Sequence, residues 1–460
     1  MSTNDAAAGD AGNADGEPIA ADDTVEGRRS VLEAARAYLT PRGVVMLVFG
    51  FSAGLPFYLI FQTLSIWLRE EGVSRGEIGL FAWVGFAFTI KFLWAPFLDR
   101  VPVPILEALI GRRRAWMAAA QLAVAGTLLA MSAADPGSNL QYAAIVAILI
   151  AFASATQDIA IDAWRIEAAE DEEQGMMAAM YQYGYRVGLL TSGTGALIVA
   201  DNASWPAAYQ AMAALMLVGM STALFAPKIE AGVHEPPPRL PPMQALREST
   251  IGPFKDFIGR YGGAALVILC FIAVYRIPDF VMGFMTGPLY VDIGYDKTQI
   301  GVIRGGAGML ATMGGVFLGG LTLLRLSFMP ALAIGVVTQS ITNLLYSWLS
   351  LMPPDSTYLA IAVVVDNIAY GYAGTVLIAY MSSLTNTAFT ATQYALFSSF
   401  YALPGKFVGG FSGFIVEAVG YAWFFAYTAL IGGPALLLLF FLRRSERRLR
   451  ATGDKASSPG

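Results

Sequence analysis

The chain has 460 residues, of which 56% are hydrophobic and only 14% are charged, and its mean hydropathy is +0.56. A soluble protein of this length carries far more charge, so the composition excludes a soluble enzyme and a nucleic-acid-binding protein. The net charge of −5 comes from an acidic start, because residues 1–27 contain acidic side chains and no lysine or arginine, and the remainder is mildly basic.

The N-terminal tail comes first along the chain. Residues 1–42 are rich in alanine, glycine and aspartate and too polar to bury much apolar area, so we predict a disordered tail and a short lead-in to the first helix. The tail lacks a basic segment followed by an apolar one, and we therefore expect no secretory signal.

Long apolar blocks follow the tail and predict an all-α membrane protein. A helix needs about 20 apolar residues to cross a hydrocarbon core of roughly 30 Å, whereas a closed barrel would show short alternating segments, which this sequence lacks. Twelve spans are predicted, at residues 43–68, 77–97, 115–133, 141–163, 176–200, 205–226, 262–287, 298–321, 328–349, 356–381, 390–418 and 421–442.

The Pro-rich polar segment 227–261 predicts a linker between two bundles of six helices, residues 43–226 and 262–442, and residues 443–460 form a basic tail. Basic residues resist translocation, so their distribution predicts the orientation. If both termini are cytoplasmic, the periplasmic loops carry only Arg69, Arg75 and Lys297. We therefore predict that both termini and the linker are cytoplasmic.

The two halves also resemble each other in sequence. Residues 72–80 match residues 294–302 at an offset of 222 (75 to 297), and both segments begin with the capping-box spacing that marks a helix start, Ser74 with Glu77 and Asp296 with Gln299. A second set matches at an offset of 220 (186 to 406): Tyr181, Arg186, Ser192 and Gly193 with Tyr401, Lys406, Ser412 and Gly413. Such repeats are typical of transporters, and they predict a 6+6 fold with a central cavity.

Ionisable residues inside the predicted spans need a partner, a wet cavity or a function, because each costs about 2.5–3.5 kcal/mol at the bilayer centre. Basic and acidic members nearly balance, which leaves structural pairing and functional sites as open alternatives. They are Lys91, Arg186, Arg276, Arg304 and Lys406, and Asp158, Asp162, Asp279 and Asp366. The only histidine, His234, lies in the linker, so a coupled proton would need one of these carboxylates.

Two local spacings stand out among them. Arg276 and Asp279 are three residues apart on either side of Pro278 and are expected to pair within one helix. Asp158 and Asp162 are four residues apart, so their carboxylates share a face, and repulsion favours uptake of a proton by one of them. The alternative is that Arg165 or a basic loop neutralises both.

The depth of the two helix 4 carboxylates suggests separate roles. Asp158 lies about 25 Å along the helix from its periplasmic start, and Asp162 lies one turn further. We favour Asp158 as a proton site. We favour Asp162 as an acidic latch that closes the cytoplasmic gate by binding Arg112, Arg113 or Arg114.

No phosphate-binding loop, zinc spacing or nucleophile elbow occurs in the sequence, so no cofactor or metal is expected. The Gly-rich stretches lie inside apolar helices, where small residues permit close packing. Cys270 is expected to be a small core side chain. Most aromatic side chains are expected to face lipid or the membrane interface, and a few to stack on a sugar ring in the cavity. Tyr58, Tyr181 and Tyr275 lie at mid-span, and the sequence does not select among them.

Several motifs resemble a known transporter family. Asp99-Arg100, followed after an insertion by Gly111-Arg112-Arg113-Arg114, resembles the loop 2–3 signature of the major facilitator superfamily, with its two parts pulled apart. The Gln157-Asp158-Ile159-Ala160-Ile161-Asp162 segment resembles the AmpG-type muropeptide permeases most specifically. Residues 49–56, 91–100, 275–279, 366–367 and 391–396 are similar to the same group, and the resemblance covers roughly residues 43–442.

This resemblance implies a bacterial inner-membrane protein that imports GlcNAc-anhydroMurNAc peptides from periplasm to cytoplasm by proton symport. It also implies roles in peptidoglycan recycling and β-lactamase induction, and we expect a monomer surrounded by membrane lipids. Solute-binding candidates are Lys91, Arg186, Arg276, Arg304, Asn367 and Gln157. Proton-coupling candidates are Asp158, Asp279 and Asp366, and gate candidates are Asp99, Arg112, Arg113, Arg114 and Asp162.

Two alternatives stay open at this point. Relatives of the family also carry acetyl-coenzyme A, another polyanion. A membrane enzyme acting on lipid-linked sugars would place its acids and its metal or phosphate ligands on loops at one face, whereas the unusual charges here are mostly within helices. Counterflow of labelled solute, compared with product formation in detergent, separates a transporter from such an enzyme.

Overall fold

The computed structural model describes residues 40–168, 171–227, 255–384 and 390–443, and every regular element within these ranges is a helix. Most of the predicted N-terminal tail, linker and C-terminal tail, including His234, lies outside the described residues. The fold expected from the apolar blocks is confirmed as an all-α architecture with six transmembrane helices in each half.

The first six helices are α1 (Pro41–Ile60 and Gln62–Glu70), α2 (short pieces from Arg75–Leu80 to Ala95–Arg100), α3 (Arg112–Ser132), α4 (Leu140–Ala168), α5 (Asp171–Leu190, Thr191–Gly195 and Ala196–Asn202) and α6 (Trp205–Phe225). The second six are α7 (Ala264–Tyr275 and Ile277–Ile293), α8 (Lys297–Gly301, Val302–Ala307 and Gly308–Leu323), α9 (Phe328–Leu349), α10 (Ser356–Ser383), α11 (Thr390–Gly409 and the start of Ser412–Ile431) and α12 (the rest of that element to residue 443).

Within the described ranges, nine helical spans are long and apolar enough to cross a membrane, and α2, α5 and α11 complete the set. The turn between α11 and α12 lies at Gly420, whose φ of +78° is a left-handed conformation that favours glycine. Both predicted capping boxes are present, and they start α2 and α8.

Close packing between helices depends on glycine. In the first half, a Cβ on Gly184 of α5 would lie 1.8 Å from the Leu47 carbonyl oxygen of α1. In the second half, a Cβ on Gly371 of α10 would lie 2.3 Å from the Thr312 carbonyl oxygen of α8. The Gly-rich stretch of α5 therefore serves helix packing, as expected from its apolar setting.

The two ends of the bundle differ. We call the end that carries residues 71–74 and 294–296 the sealed end, because ion pairs join the two halves there, including Arg75 with Asp292 and Lys297 with Glu70. The opposite end carries residues 101–111 and residue 227, where the predicted linker begins.

Candidate functional site

A cavity of about 450 Å³ lies between the two halves. Helices α1, α5, α7, α8, α10 and α11 all contribute to its lining, so both halves share the site. Polar and aromatic side chains face it together, and the charged members are Arg186, Arg276, Asp279, Arg304, Asp366 and Lys406.

Two arginines, one from each half, face the cavity. Neither Arg186 of α5 nor Arg304 of α8 has a hydrogen bond or an ion pair to any residue that the structure describes. Both guanidinium groups lie close enough to Tyr58 to interact with it electrostatically. Arg304 sits in the π-helical piece of α8, a kind of helix distortion that is frequent at functional sites. Two cations that form no ion pair within the described residues suit an anionic ligand.

The third cavity arginine is already neutralised. The Arg276 Nε atom lies 2.8 Å from Asp279 Oδ2, and both side chains are buried. The guanidinium carbon also lies 4.3 Å above the Tyr370 ring, at cation–π distance. Neither Asp279 oxygen has a hydrogen-bond partner among the described residues. The contact with Arg276 is therefore an ion pair whose angle does not meet the hydrogen-bond criterion. The pairing expected from the three-residue spacing is confirmed.

Asp366 is the cavity carboxylate held by neutral groups. Its Oδ1 atom accepts hydrogen bonds from Gln339 Nε2 at 3.1 Å and Thr342 Oγ1 at 2.9 Å. Within the described residues no lysine or arginine forms an ion pair with it, although Arg304 is near enough to act on it electrostatically. The next residue, Asn367, accepts from Thr312 Oγ1 at 2.9 Å. Asp366 can therefore gain or lose a proton without breaking an ion pair.

Lys406 was not among the solute, proton or gate candidates, and it joins the halves. Its Nζ atom donates to the Gly85 carbonyl oxygen at 2.9 Å and to Thr89 Oγ1 at 3.0 Å, both on α2. The sequence contained one indication of this position, because Lys406 matches Arg186 in the internal repeat and both residues line the cavity.

A second group of charges lies between α2 and α4. The Lys91 Nζ atom is 3.9 Å from Asp158 Oδ2 and 3.8 Å from Asp162 Oδ2, and Arg165 is 3.9 Å from Asp162 Oδ1. Asp158 therefore shares its lysine with Asp162, and its Oδ1 atom has no hydrogen-bond partner in the described part of the chain. Arg165 contacts Asp162, as the alternative of neutralisation expected, but the base that reaches both carboxylates is Lys91, which that alternative did not name.

Two predicted solute-binding residues are placed away from the cavity. Among the described residues, neither Lys91 nor Gln157 belongs to the lining. Lys91 points to α4, and Gln157 is fully buried with both amide atoms unpaired among the residues described. The structure thus brings together Arg186, Arg276, Arg304 and Asn367, and it separates Lys91 and Gln157 from them.

The gate candidates contact other groups than the predicted ones. Arg113 donates to both carboxylate oxygens of Glu167, and Arg112 donates to Glu107. Arg114 donates to two carbonyl oxygens, those of Ile110 and Ala226. Asp162 lies on Lys91 and Arg165, so the predicted latch to Arg112, Arg113 or Arg114 is not the contact seen in this state. The side chain of Asp99 lies outside the described part.

Comparisons with known proteins agree on the family. The model of the Major Facilitator Superfamily matches residues 45–410. The chain is 36% identical to the anhydromuropeptide permease of Escherichia coli K12 over 421 residues, which covers 91% of this chain and 83% of that protein.

Solved structures give the same fold at low identity. A bacterial homolog of the human lysosomal transporter Spinster matches with a TM-score of 0.68 at 12% identity, covering 88% of this chain and 98% of that one. The D-xylose-proton symporter matches with a TM-score of 0.65 at 14% identity, covering 88% and 97%. Identities this low carry the fold alone.

Proposed function

Because the chain belongs to the AmpG-type permeases of the major facilitator superfamily, we propose that its solute is an anhydromuropeptide. The chain is a multi-pass membrane transporter of a small-molecule solute and not an enzyme. In the proposed role it imports GlcNAc-anhydroMurNAc peptides across the bacterial inner membrane as a monomer, for peptidoglycan recycling and for the induction of β-lactamase. The sealed end is then periplasmic, and both termini are cytoplasmic.

The observation that carries this proposal is an arginine on each side of the cavity that forms no ion pair or hydrogen bond with the part of the chain that the structure describes. A muropeptide has peptide carboxylates, which a guanidinium fork binds with two parallel hydrogen bonds. It also has sugar rings, and tyrosines supply flat apolar faces for such rings. Arg186 and Arg304 suit the carboxylates, while Tyr58, Tyr185 and Tyr370 line the same cavity. Arg276 then has a supporting role, since its charge is taken up by Asp279.

Proton coupling is the proposed energy source, and Asp366 is the carboxylate best placed for it. It faces the cavity and is held by neutral donors, so a proton and an anionic solute can affect each other electrostatically at short range. Asp279 is the weaker candidate because Arg276 already pairs with it. Asp158, which lies beside Lys91 in the group of charges between α2 and α4, is the alternative proton-binding residue.

We also propose the domain arrangement that the spans suggest. Residues 43–226 and 262–442 form the two bundles, and residues 227–261 form the cytoplasmic linker. Asp162 is proposed as part of the cytoplasmic gate together with the arginine cluster 112–114, since both lie toward the end opposite the sealed end. In this arrangement, Asp162 contacts Lys91 in the present state. Asp162 contacts the arginine cluster only in a state in which the end opposite the sealed end is closed.

The test is counterflow of labelled GlcNAc-anhydroMurNAc-tripeptide in proteoliposomes made with wild type, R186Q, R304Q and the conservative R186K and R304K. Loss of a charge-assisted hydrogen bond costs about 1.5–3 kcal/mol, so each Gln variant should lower counterflow at limiting solute roughly tenfold or more. The Lys variants should be intermediate because they keep the charge and lose the fork.

The matched control is R325Q, since Arg325 lies in the turn after α8 and away from the cavity. It should behave as wild type. Acetyl-coenzyme A offered in place of the muropeptide tests the other polyanion of this family. Counterflow of acetyl-coenzyme A alone would contradict the proposed solute. Equal counterflow in wild type and the four variants of Arg186 and Arg304 would contradict the proposed binding site.

A further inference from the structure

Two ion-pair clusters join the halves at the sealed end. In the first, the Arg75 guanidinium at the start of α2 lies 2.7 Å from the Asp292 carboxylate at the end of α7. In the second, the Lys297 ammonium at the start of α8 lies 3.1 Å from the Glu70 carboxylate at the end of α1. Each contact therefore links a base of one half to an acid of the other.

The internal repeat relates these two contacts to each other. Glu70 and Asp292 are equivalent at an offset of 222 (70 to 292), and Arg75 and Lys297 are equivalent at the same offset (75 to 297). The two halves are related by an approximate two-fold axis. If the first position of one half contacts the second position of the other half, the axis generates a matching contact between the second position of the one and the first position of the other. The structure has both, so the sequence repeat encodes one contact that is made twice.

Neighbouring residues give the two clusters opposite excess charge. Asp292 also accepts from Arg69 Nε at 2.5 Å, so that cluster has two bases on one acid. Lys297 also lies 4.0 Å from Asp201, so that cluster has two acids on one base. Arg69 and Glu70 are adjacent in the chain, which keeps the clusters side by side and nearly neutral together.

The helices behind the clusters are in close contact. A Cβ on Gly413 of α11 would lie 1.7 Å from the Arg75 carbonyl oxygen of α2. At the equivalent junction, Thr194 Oγ1 of α5 donates to the Gly301 carbonyl oxygen of α8 at 2.7 Å. No solute can pass where backbones are this close. Opening the cavity at the sealed end must therefore separate α2 from α11 and α8 from α5, and the ion pairs must break with them.

We propose that Glu70, Arg75, Asp292 and Lys297 form a reciprocal clasp that holds the sealed end shut and is released when the transporter opens to that side. Because the four side chains are between 17% and 29% exposed, the pairs are solvated and screened by salt. Such pairs can close and reopen repeatedly, whereas fully buried pairs would be costly to break. Both arms share Arg69-Glu70 of α1, so they are expected to release together.

The test uses a cysteine reporter inside the cavity. Cys270 is the only cysteine and is first replaced, C270A, and the reporter is then G283C. Gly283 lines the cavity, and a Cβ there meets no atom within 4 Å, so the reporter leaves the fold undisturbed. A membrane-impermeant thiol reagent is applied to vesicles of each orientation. A separate S138C protein identifies the side that bears the sealed end, since Ser138 lies in the exposed loop after α3.

Variants D292N and K297Q each remove one arm, and K297R keeps the charge. D355N is the matched control, because Asp355 is an acid at the same end that caps α10 through the Thr357 amide within its own half. We expect D292N and K297Q to raise the labelling rate of G283C from the sealed side by at least about threefold, and K297R and D355N to leave it unchanged. Raising the salt concentration should increase the rate for the intact clasp, and the relative increase should be smaller in the two variants because each keeps only one arm.

Labelling of protein unfolded in detergent gives the total amount of the G283C protein in each sample. A variant that folds poorly is then recognised by a low total amount. If a variant fails to fold, the salt dependence of the G283C protein alone still decides the matter. An unchanged rate from the sealed side in D292N and K297Q, or a salt-independent rate for the intact clasp, would overturn the proposal. Neither result depends on the identity of the solute.

Discussion

At the scale of single residues, the environment of Asp366 decides what that carboxylate can do. Gln339 and Thr342 hold one oxygen, and an ion pair would be needed to keep the group permanently charged at this depth. A solute carboxylate arriving at Arg304 changes the electrostatic field at Asp366, because Arg304 is near enough to act on it. In the proposed mechanism, solute binding at Arg304 and proton binding at Asp366 are therefore linked through this arginine.

We predict that D366N loses solute accumulation driven by a proton gradient but keeps counterflow without a gradient. Asparagine retains the hydrogen bonds and the shape while removing the proton site, so binding and the conformational change should survive. The measurement is accumulation and counterflow in the same proteoliposomes. D158N tests the α2–α4 group in parallel. Accumulation lost only in D158N would move the proton to that group, and accumulation kept in both variants would exclude both carboxylates.

Residue positions could be predicted from sequence where the contact is local. Arg276 and Asp279 are three residues apart on one helix, and helix geometry alone brings them together. Lys91 could not be placed, because its direction depends on α2, which contains short 3₁₀ pieces on both sides of Ala87 and so does not keep a constant helical phase. The contact of Lys406 with α2 depends on how the two halves meet, which no local pattern records.

At the scale of helices, the apolar blocks predicted the spans, whereas the distance between helices depends on a few small residues. Gly50 and Gly54 of α1 face Gly184 and Gly188 of α5, and each of these glycines contacts backbone of the opposite helix. A sequence shows that glycines are present but gives no partner for them. The sequence therefore predicted close helix packing in general, but it did not predict that α1 packs against α5.

We predict that G184A lowers the thermal stability of the purified protein. The added Cβ would lie 1.8 Å from the Leu47 carbonyl oxygen, so α5 must move away from α1, and overpacking of this kind costs about 1–3 kcal/mol. The measurement is the midpoint of thermal unfolding in detergent. G314A is the control, because a Cβ on Gly314 meets no atom within 4 Å and alanine favours the helix. A midpoint in G184A equal to or above that of G314A would contradict the packing argument.

At the scale of the whole molecule, the repeat carries more information than any single motif. It predicted two related halves, and the reciprocal contacts of Arg75 and Lys297 are its three-dimensional consequence. The two halves differ at the cavity. Arg186 faces the cavity with no hydrogen bond or ion pair to a described residue, while its match Lys406 is bound to α2 of the other half. Which matched residue is bound and which is free was outside the reach of the sequence.

The last prediction is the orientation of the molecule in the membrane. Basic residues are scarce in the loops of the sealed end, and Arg69, Arg75 and Lys297 there are all paired with carboxylates. Pairing lowers the cost of moving these bases across the membrane, so they do not oppose an orientation with the sealed end in the periplasm. In a C270A background, S138C and S356C should therefore react with an impermeant thiol reagent in cells whose outer membrane is permeabilised.

S249C, in the proposed linker, should react only in inside-out vesicles. Ser138 lies in the loop after α3 and Ser356 begins α10, so these two positions sample the sealed end in both halves of the chain. Agreement between them tests the six-helix repeat as well as the orientation, since an odd number of crossings between them would place them on opposite sides. Labelling of S249C in intact cells together with protection of S138C and S356C would reverse the orientation, and with it the direction assigned to the clasp.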